Sequence, residues 1–364
     1  MKISTVDLYR YELPLTDPLK LGASTVAHRR GLLVRLGTEQ GAAGWGDAAP
    51  LPGFSMETLS EVVARARDAA PQWIGVEISE ARGDPADSLA ALSVPPECPA
   101  SLRFAVEGAV VDLLAATRDT SVAAVLGTPR PTVALNALIT SADDGPAQAA
   151  RYREHGYRAV KVKVGRGEMN AEVETLRAIR RELGDGIALR ADANRAWSLD
   201  EAVAFAEATH GLNVAYVEEP LADPTQLPSL VAQTDLSIAL DETTHEREPG
   251  VLRGEVPASA VVLKPTLLGG IQETRAWSRV AQEHGTTPVV SASYESGIGL
   301  RMLMTLSAVG PDVPVGLSTY DRLAADVLRS SLPMDGSTID VESVVAPEAS
   351  IDENRLEHID AVST

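Results

Sequence analysis

Three carboxylates stand at the ends of three successive apolar runs, where together they could bind a metal ion. Asp192 ends "IALRAD", Glu218 ends "VAYVE" and Asp241 ends "SIALD". One charged strand end is usually a salt bridge or a helix cap, but three that converge would repel one another unless a cation lay between them. Because no His or Cys occupies these positions, the set suits a hard divalent ion, Mg²⁺ with Mn²⁺ as a substitute, and does not suit zinc.

Lysines flank these acids on both sides, in a chain that has few of them. Five of the 32 basic residues are lysine, which leaves 27 arginines, and the five include Lys161 and Lys163 in "VKVKV" and Lys264 in "VVLKP". Side chains at i and i+2 of a strand share a face, about 6–7 Å apart. We expect crowding by Lys161 and a nearby cation to lower the pKa of Lys163, so that its amine can act as a base. A solvent-facing edge strand is the alternative, which barrel closure would remove.

A lysine base beside a carboxylate-bound divalent cation suits one class of reaction. The cation stabilises a substrate carboxylate as it becomes an enediolate, while the amine removes the neighbouring proton. The residue types therefore predict proton abstraction α to a carboxylate, with a small-molecule carboxylate as substrate.

A repeating unit of strand and helix must position these residues. Polar residues end successive strand-like runs at intervals of 29, 26, 23, 23, 27 and 27 residues, counted over Lys163, Asp192, Glu218, Asp241, Lys264, Ser291 and Ser318. A unit that recurs at this spacing, with eight strands, predicts a (β/α)8-type barrel, whose active sites lie at the carboxyl ends of the strands. An open doubly wound sheet is the alternative, but no G-x-G-x-x-G follows any strand.

The beginning of the chain has the pattern of an α+β domain. Short alternating strands precede two helices, one after Ser55, which is the expected N-cap, and one at "SLRFAVEGAVVDLLAAT". We therefore predict an α+β domain at 1–128, the barrel at 129–320, and a C-terminal segment at 321–364 that packs back on the first domain.

Composition limits the partners and the compartment. The net charge of −19 argues against nucleic acid and against anionic membranes as partners. Cys98 is the single cysteine, no apolar run is long enough to span a membrane, and the N-terminus reads as a strand, so we expect a cytoplasmic location. The sequence leaves open whether the chain forms a homo-oligomer and whether its acidity reflects a high-salt habitat.

The ordered set of motifs resembles the muconate-lactonising-enzyme subgroup of the enolase superfamily. Within it the o-succinylbenzoate synthase family is the most similar, over nearly the whole chain to about Asp326, through the segments "GWGDAAPLPGFSMETL", "VKVKVG", "LRADANRAW", "VEEP", "VVLKPTLLGG" and "SASYESGIGL". The resemblance implies a capping domain over a modified TIM barrel, (β/α)7β, and one Mg²⁺. It also implies dehydration of 2-succinyl-6-hydroxy-2,4-cyclohexadiene-1-carboxylate to o-succinylbenzoate in menaquinone biosynthesis.

The same resemblance implies roles for individual residues. The metal ligands it implies are Asp192, Glu218 and Asp241. Lys163 would remove the α-proton and, because the elimination is syn, would also help the hydroxyl leave. Lys264 would stabilise the enediolate by its charge, and Lys161 would contact the substrate carboxylate and tune Lys163.

Residues next to the ligands are candidates for support. Arg190 and Asn194 share a strand face with Asp192, so Arg190 could hold the acids or contact substrate and Asn194 could hydrogen-bond near the metal. Glu219 and Glu242 follow ligand residues and should turn aside to support them. A plain packing role is the alternative for Arg190 and Asn194.

Loops are expected to recognise the rest of the substrate. The segment "SASYESG" would contact the succinyl tail through Ser291, Ser293, Glu295 and the backbone of Gly297. We expect "LTDPLKLGASTVAHRR" and "PLPGFS" to close over the site, although ordinary connections are the alternative.

Two departures from the family pattern and three rival functions stay open. The family has Asp after "GL" near the last strand, where this chain has Ser318, and "TTHEREPG" is also unlike the family, so we expect His245 at the surface. The nearest rival is N-acylamino-acid racemisation, alone or beside dehydration, because Lys163 and Lys264 would supply bases on both faces. Dipeptide epimerisation is less favoured because "SASYESG" lacks the D-x-D of relatives with that activity. The third rival is a catalytically silent barrel. It is disfavoured because an idle site need not keep charged residues that repel one another.

Overall fold

The computed structural model describes residues 1–21, 24–81, 83–92, 97–140, 144–254, 256–345 and 350–363. Its strands are β1 (Ile3–Leu21), β2 (Ser24–Thr38), β3 (Ala43–Ala48), β4 (Thr132–Ala134), β5 (Asn136–Ile139), β6 (Ala159–Lys163), β7 (Ala188–Asp192), β8 (Val214–Glu218), β9 (Ile238–Leu240), β10 (Ala260–Leu263), β11 (Thr287–Val290), β12 (Thr338–Asp340) and β13 (Leu356–Ser363).

Its α-helices are α1 (Leu59–Trp73), α2 (Ala86–Ala91), α3 (Ala100–Arg118), α4 (Val122–Leu126), α5 (Gly145–Glu154), α6 (Met169–Leu183), α7 (Leu199–Ala208), α8 (Leu227–Gln233), α9 (Glu242–Glu246), α10 (Pro265–Leu268), α11 (Ile271–Glu283), α12 (Gly297–Val309) and α13 (Val341–Val345). Short 3₁₀ helices lie at Pro224–Gln226, Pro249–Leu252, Ser318–Arg322 and Glu353–Arg355. Each described helix is too short or too polar to span a bilayer.

An antiparallel sheet and two long helices form the cap. The strand order is β13–β1–β2–β3, so that β13, from the end of the chain, pairs with β1. Helices α1 and α3 cover the sheet and bury Trp73 and Phe104 with its apolar residues. The C-terminal segment is divided, because β12 pairs with β4 and α13 packs against α12, beside the barrel.

The first long helix begins later than the sequence predicts. Thr58, and not Ser55, is the N-cap of α1, because Thr58 and Glu61 form a capping box in which each side chain accepts from the other residue's backbone N–H. The Ser55 hydroxyl instead accepts from the Leu51 N–H at 2.8 Å, inside the preceding loop. The sequence offers both Ser55 and Thr58 as N-caps, and Thr58 caps the helix because the capping box with Glu61 satisfies two backbone N–H groups instead of one.

Seven parallel strands curl into the barrel in the order β11–β10–β9–β8–β7–β6–β5. Val315 and Gly316 take the eighth position, where isolated bridges join them to Leu135 and Ser291. The predicted fold, a (β/α)7β barrel with an α+β cap, is confirmed. An apolar core, with Phe205 and Trp277 fully buried, fills the space between the strands and the surrounding helices.

Candidate active site

The predicted acids and lysines meet at the carboxyl ends of the barrel strands. Lys163 in β6 is level with Asp192 in β7, which is level with Glu218 in β8. Asp241 and Lys264 directly follow β9 and β10. Strand register therefore brings these side chains to one mouth, together with Lys161, two residues before Lys163.

Carboxylate oxygens lie between the ammonium groups. The Asp192 Oδ2 atom accepts from Lys163 Nζ at 2.6 Å and lies 2.9 Å from Lys161 Nζ. Lys161 Nζ also donates to the two Glu218 oxygens at 3.1 and 3.2 Å, and Lys264 Nζ donates to Asp241 Oδ2. The repulsion expected between Lys161 and Lys163 is thus offset by a shared carboxylate.

Burial and charge oppose each other in the pKa values of this cluster. Burial alone would lower the pKa of Lys161, but Asp192 and Glu218 raise it well above its usual value. Burial would lower the pKa of Lys264, but Asp241 and Glu218 together raise it. Burial would raise the pKa of Asp192, but Lys161 and Lys163 lower it. The protein therefore holds Lys161 and Lys264 as cations and Asp192 as an anion.

The three acids fit a divalent metal ion. Asp192, Glu218 and Asp241 are each about 1% exposed, and Asp241 Oδ1 is buried with no hydrogen-bond partner among the described residues. Buried carboxylate oxygens are the ligands that Mg²⁺ prefers. In the described ranges no three acidic, His or Cys side chains already form a metal-binding group. Lysine Nζ atoms lie instead against oxygens of all three acids.

Asn194 and Glu219 brace the acids. The Asn194 Oδ1 atom accepts from Lys163 Nζ at 2.6 Å, and its Nδ2 donates to Glu242 Oε1 at 3.3 Å. Glu219 turns away from the mouth and accepts from the Asp241 N–H at 2.9 Å. These two residues fix the lysine and the backbone of one acid, as support residues would.

Glu242 also lies beside the acids. Burial, and then the charge of Asp241, raise its pKa to about 7. Its Oε2 atom is buried without a hydrogen-bond partner in the described part of the chain. Glu242 therefore has an unused acceptor near the mouth.

Arg190 does not hold the acids. It is level with Lys161 and Tyr216, one layer below Asp192. Its guanidinium donates to Asn136 Oδ1 at 3.3 Å and to the Pro314 carbonyl at 2.9 Å, and lies 5.2 Å from the centre of the Tyr216 ring. The prediction that Arg190 holds the acids is wrong, because these hydrogen bonds go to Asn136 and Pro314 instead. Its contact with substrate stays a prediction.

Two of the four predicted contacts in "SASYESG" are used within the protein. Glu295 is 2% exposed and accepts from Thr266 Oγ1 and the Ser293 N–H, both at 2.6 Å, and the Gly297 N–H donates to Asp326 at 2.8 Å. The Glu295 carboxylate and the Gly297 N–H are thus satisfied within the protein, and their contact with substrate stays a prediction.

The two serines of this segment differ in whether their hydroxyl groups already have a hydrogen-bond partner. The Ser291 hydroxyl donates to the Gly316 carbonyl at 3.3 Å. The Ser293 hydroxyl is buried without a hydrogen-bond partner among the described residues, so it can still bind a ligand. Ser318, where the family pattern has Asp, begins a 3₁₀ helix and donates to the Asn136 carbonyl at 3.2 Å.

The cap reaches the site through "PLPGFS". The Phe54 ring lies 5.9 Å from Lys264 Nζ, and Phe54 and Met56 line a cavity of about 810 Å³ between cap and barrel. His245 lines it too, half-buried, and burial lowers its pKa to about 4, so its expected place at the surface is wrong. The tip of the other predicted loop, residues 22–23, lies outside the described residues.

Arg195 is a supporting residue that sequence reasoning missed. Its guanidinium donates to Glu219 at 3.1 Å and to both oxygens of Glu246 at 2.7 and 2.8 Å. The available signal was its place directly after the D-x-N of "LRADANRAW".

A capped barrel with lysines and acids at its strand ends defines an enzyme of the enolase superfamily. The family model "Enolase C-terminal domain-like" matches residues 146–347, and "MenC, N-terminal domain" matches residues 3–90. The chain is 32% identical to o-succinylbenzoate synthase of Haemophilus influenzae, over 94% of this chain and 98% of that protein. This chain belongs to the o-succinylbenzoate synthase family, whose members are carbon–oxygen lyases.

Two further similarities differ in extent. The chain is 28% identical to Protein PHYLLO, chloroplastic, of Arabidopsis thaliana, over 91% of this chain but only 22% of that longer protein. A dipeptide epimerase from Cytophaga hutchinsonii, crystallised with Mg and the dipeptide D-Ala-L-Val, has a TM-score of 0.83 and covers 100% of both chains at 23% identity. That structure shows the shared fold, in a protein that holds a divalent metal.

Proposed function

We propose that this protein dehydrates 2-succinyl-6-hydroxy-2,4-cyclohexadiene-1-carboxylate to o-succinylbenzoate, a step of menaquinone biosynthesis. The proposed enzyme uses Mg²⁺ and works in the cytoplasm. The observation that carries the proposal is the alternation of ammonium and carboxylate groups at one barrel mouth, from Lys163 through Asp192 to Lys161 and Glu218. Family membership supports the choice of this small carboxylate as substrate.

Lys163 is the proposed base and acid. Its unprotonated amine takes the proton from the carbon next to the substrate carboxylate. The same group then returns a proton to the hydroxyl on the neighbouring carbon, the carbon–oxygen bond breaks, and water leaves as the ring becomes aromatic. One lysine can serve both steps because a syn elimination places the proton and the hydroxyl on one face. The Asn194 oxygen, 2.6 Å from Lys163 Nζ, orients the amine.

The other two lysines act through charge. Lys264 lies on the strand beyond Asp241 and would face the negative charge that grows on the substrate carboxylate. Lys161 would contact that carboxylate and tune Lys163. A Mg²⁺ ion held by Asp192, Glu218 and Asp241 would supply further positive charge against the same carboxylate.

The remaining contacts would hold the succinyl tail. The buried Ser293 hydroxyl lacks a partner among the described residues and can donate to a carboxylate. Ser291 is the neighbouring candidate on the same segment.

Metal dependence of turnover tests the proposal directly. Purified protein treated with EDTA should lose conversion of the cyclohexadiene substrate, and Mg²⁺ should restore it, with Mn²⁺ as a substitute. Zn²⁺ should not restore it, because the donor set lacks His and Cys. Full turnover in EDTA, or no turnover with any of these ions, would refute the proposed reaction.

N-acylamino-acid racemisation is the second candidate, alone or as a dual activity. Lys163 and Lys264 lie on strands at opposite ends of the acid row, which would place an amine on each side of a bound substrate. Incubation of an N-succinyl amino acid in D₂O should then exchange its α-proton from both enantiomers. Exchange from one enantiomer only would exclude racemisation.

A further inference from the structure

A buried arginine joins the cap to the barrel beside the site. Arg29 is 1% exposed, and its guanidinium donates to the carbonyl oxygens of Ala49 at 2.7 Å and Pro50 at 3.0 Å in the cap. It also donates to the carbonyls of Tyr294 at 3.0 Å and Ser293 at 3.4 Å in the barrel. Its hydrogen-bond partners in the described part of the chain are all backbone carbonyls, so its planar fork of donors matters as much as its charge.

On the cap side, Arg29 holds the start of the loop that carries Phe54. The loop is tight, because the N–H groups of Phe54 and Ser55 both donate to the Leu51 carbonyl, at 3.0 and 2.8 Å. Anchoring Ala49 and Pro50 therefore fixes the position of the Phe54 ring over Lys264.

On the barrel side, Arg29 holds a residue in an uncommon backbone conformation. Tyr294 has a φ of +63°, in the left-handed region that a bulky residue seldom adopts. The bond from Arg29 Nε to its carbonyl stabilises this conformation. The turn also orients Ser293, whose buried hydroxyl has no partner in the described ranges.

We propose that Arg29 is a positioning residue that sets the separation between the Phe54 loop and the Ser293–Tyr294 turn. Substrate lies between these two walls, so Arg29 governs substrate affinity without touching the reacting atoms. This inference rests on the proposed dehydration, because it names which residues shape that substrate's binding site.

The first test compares Arg29→Lys with Arg35→Lys, a matched change on the same strand. Lysine keeps the charge but cannot span carbonyls of two segments. Arg35 instead pairs with Asp7 on the neighbouring strand of the cap sheet. We expect Arg29→Lys to raise KM about tenfold or more, with kcat within about twofold, since misplaced walls weaken binding and leave the lysines in place. Unchanged KM, or a loss of kcat alone, would overturn the proposal.

Hydrogen–deuterium exchange gives a readout that does not need turnover. Peptides that cover residues 50–56 and 292–296 should exchange faster in Arg29→Lys than in wild type and should be unchanged in Arg35→Lys. If wild type does not convert the cyclohexadiene substrate, the proposed function fails, but hydrogen exchange still tests the role of Arg29. Equal exchange in the three proteins would refute that positioning role.

A second variant covers the case in which Arg29→Lys does not fold. Phe54 is 38% exposed, so Phe54→Ala should fold, and it should raise KM because it removes one wall. An unchanged KM in Phe54→Ala would refute the proposal independently of Arg29.

Discussion

Asp192 controls the balance of charge at the strand ends. Its Oδ2 atom is shared by Lys161 and Lys163, which explains how two lysines can lie on one face of one strand. A buried carboxylate between two lysine side chains is stable as an anion, and each Nζ atom has a partner in return. The arrangement is a row of opposite charges and not a cluster of like ones.

Lys163 is the residue whose loss should remove the chemistry and leave the fold. We expect Lys163→Ala to lower the rate of dehydration by about 10²–10⁴-fold, because a general base is lost. Asp192 keeps Lys161 as a partner, so thermal unfolding should change little. Lys2→Ala, at an exposed lysine of the cap, is the matched control and should keep wild-type turnover. Dehydration that survives in Lys163→Ala would contradict the assignment of the base.

Asp47 should make stability depend on pH. It is 1% exposed, accepts from Tyr11 and Ser296, and burial raises its pKa to about 6. Between an unfolded pKa near 4 and this value, the folded state binds a proton that the unfolded state does not, so stability falls as pH rises.

Asp47→Asn isolates this effect, because asparagine does not titrate. The free energy of unfolding of wild type, minus that of Asp47→Asn, should fall by up to about 3 kcal/mol between pH 4 and pH 7. Urea unfolding at pH 4.5, 5.5 and 7 measures the difference. A difference that is constant, or that rises with pH, would rule out a raised pKa.

The site residues could be read from sequence where strand register decides their position. Each acid and lysine ends an apolar run, and parallel strands bring such ends together, so six residues were placed correctly at one mouth. The partners of Arg190 could not be read, because Asn136 and Pro314 come from distant parts of the chain. Hydrogen bonds such as that of Glu295 with Thr266 depend on loop geometry that one sequence does not specify.

Two barrel helices receive their N-terminal caps from the cap domain. Neither α11 nor α12 has a side-chain cap of its own. Glu107 of α3 accepts from the backbone N–H groups of Ile271 and Gln272, and Asp47 of β3 accepts from the Ser296 N–H at 2.9 Å. A carboxylate at a helix N-terminus satisfies free N–H groups and opposes the helix dipole.

Removing the Glu107 cap should destabilise the whole chain. Glu107→Ala leaves buried N–H groups at the start of α11 without acceptors, so we expect a loss of about 1–3 kcal/mol in the free energy of unfolding. Glu283→Ala, at the exposed end of the same helix, should cost less than about 0.5 kcal/mol. Urea denaturation of both variants measures this, and equal values would show that the cap contributes nothing.

Secondary structure could be predicted where one element carries its own signal. The strands and the helix Ala100–Arg118 follow from local pattern. The eighth barrel position is less regular than the sequence predicts, since Val315 and Gly316 take it through isolated bridges and not as a named strand. Helix caps that one domain supplies to the other could not be predicted from the sequence, since residues such as Glu107 and Ile271 are 164 positions apart in the chain.

At the scale of the whole molecule, acidic surface charge sets the response to solvent. The chain has 51 acidic and 32 basic residues, and three of its five lysines lie in the site, where acids already neutralise them. Most of the excess negative charge is therefore distributed over the rest of the protein. Self-repulsion of this charge opposes the compact state and weakens as salt screens it.

Thermal stability should therefore rise with salt at neutral pH. Between 0.1 and 1 M NaCl the screening length falls from about 10 to about 3 Å, so repulsion between neighbouring surface carboxylates is largely removed. We expect the Tm at pH 7 to increase by several degrees over this range, measured by circular dichroism in the presence of EDTA to exclude metal binding. The control is the same series at pH 5, close to the pI of about 4.7, where the net charge is small and the increase should nearly vanish. If salt raises the Tm equally at both pH values, the stabilisation does not arise from net charge. If the Tm falls with salt at pH 7, attractive ion pairs outweigh the repulsion; one such pair is Arg275 with Asp84, between barrel and cap.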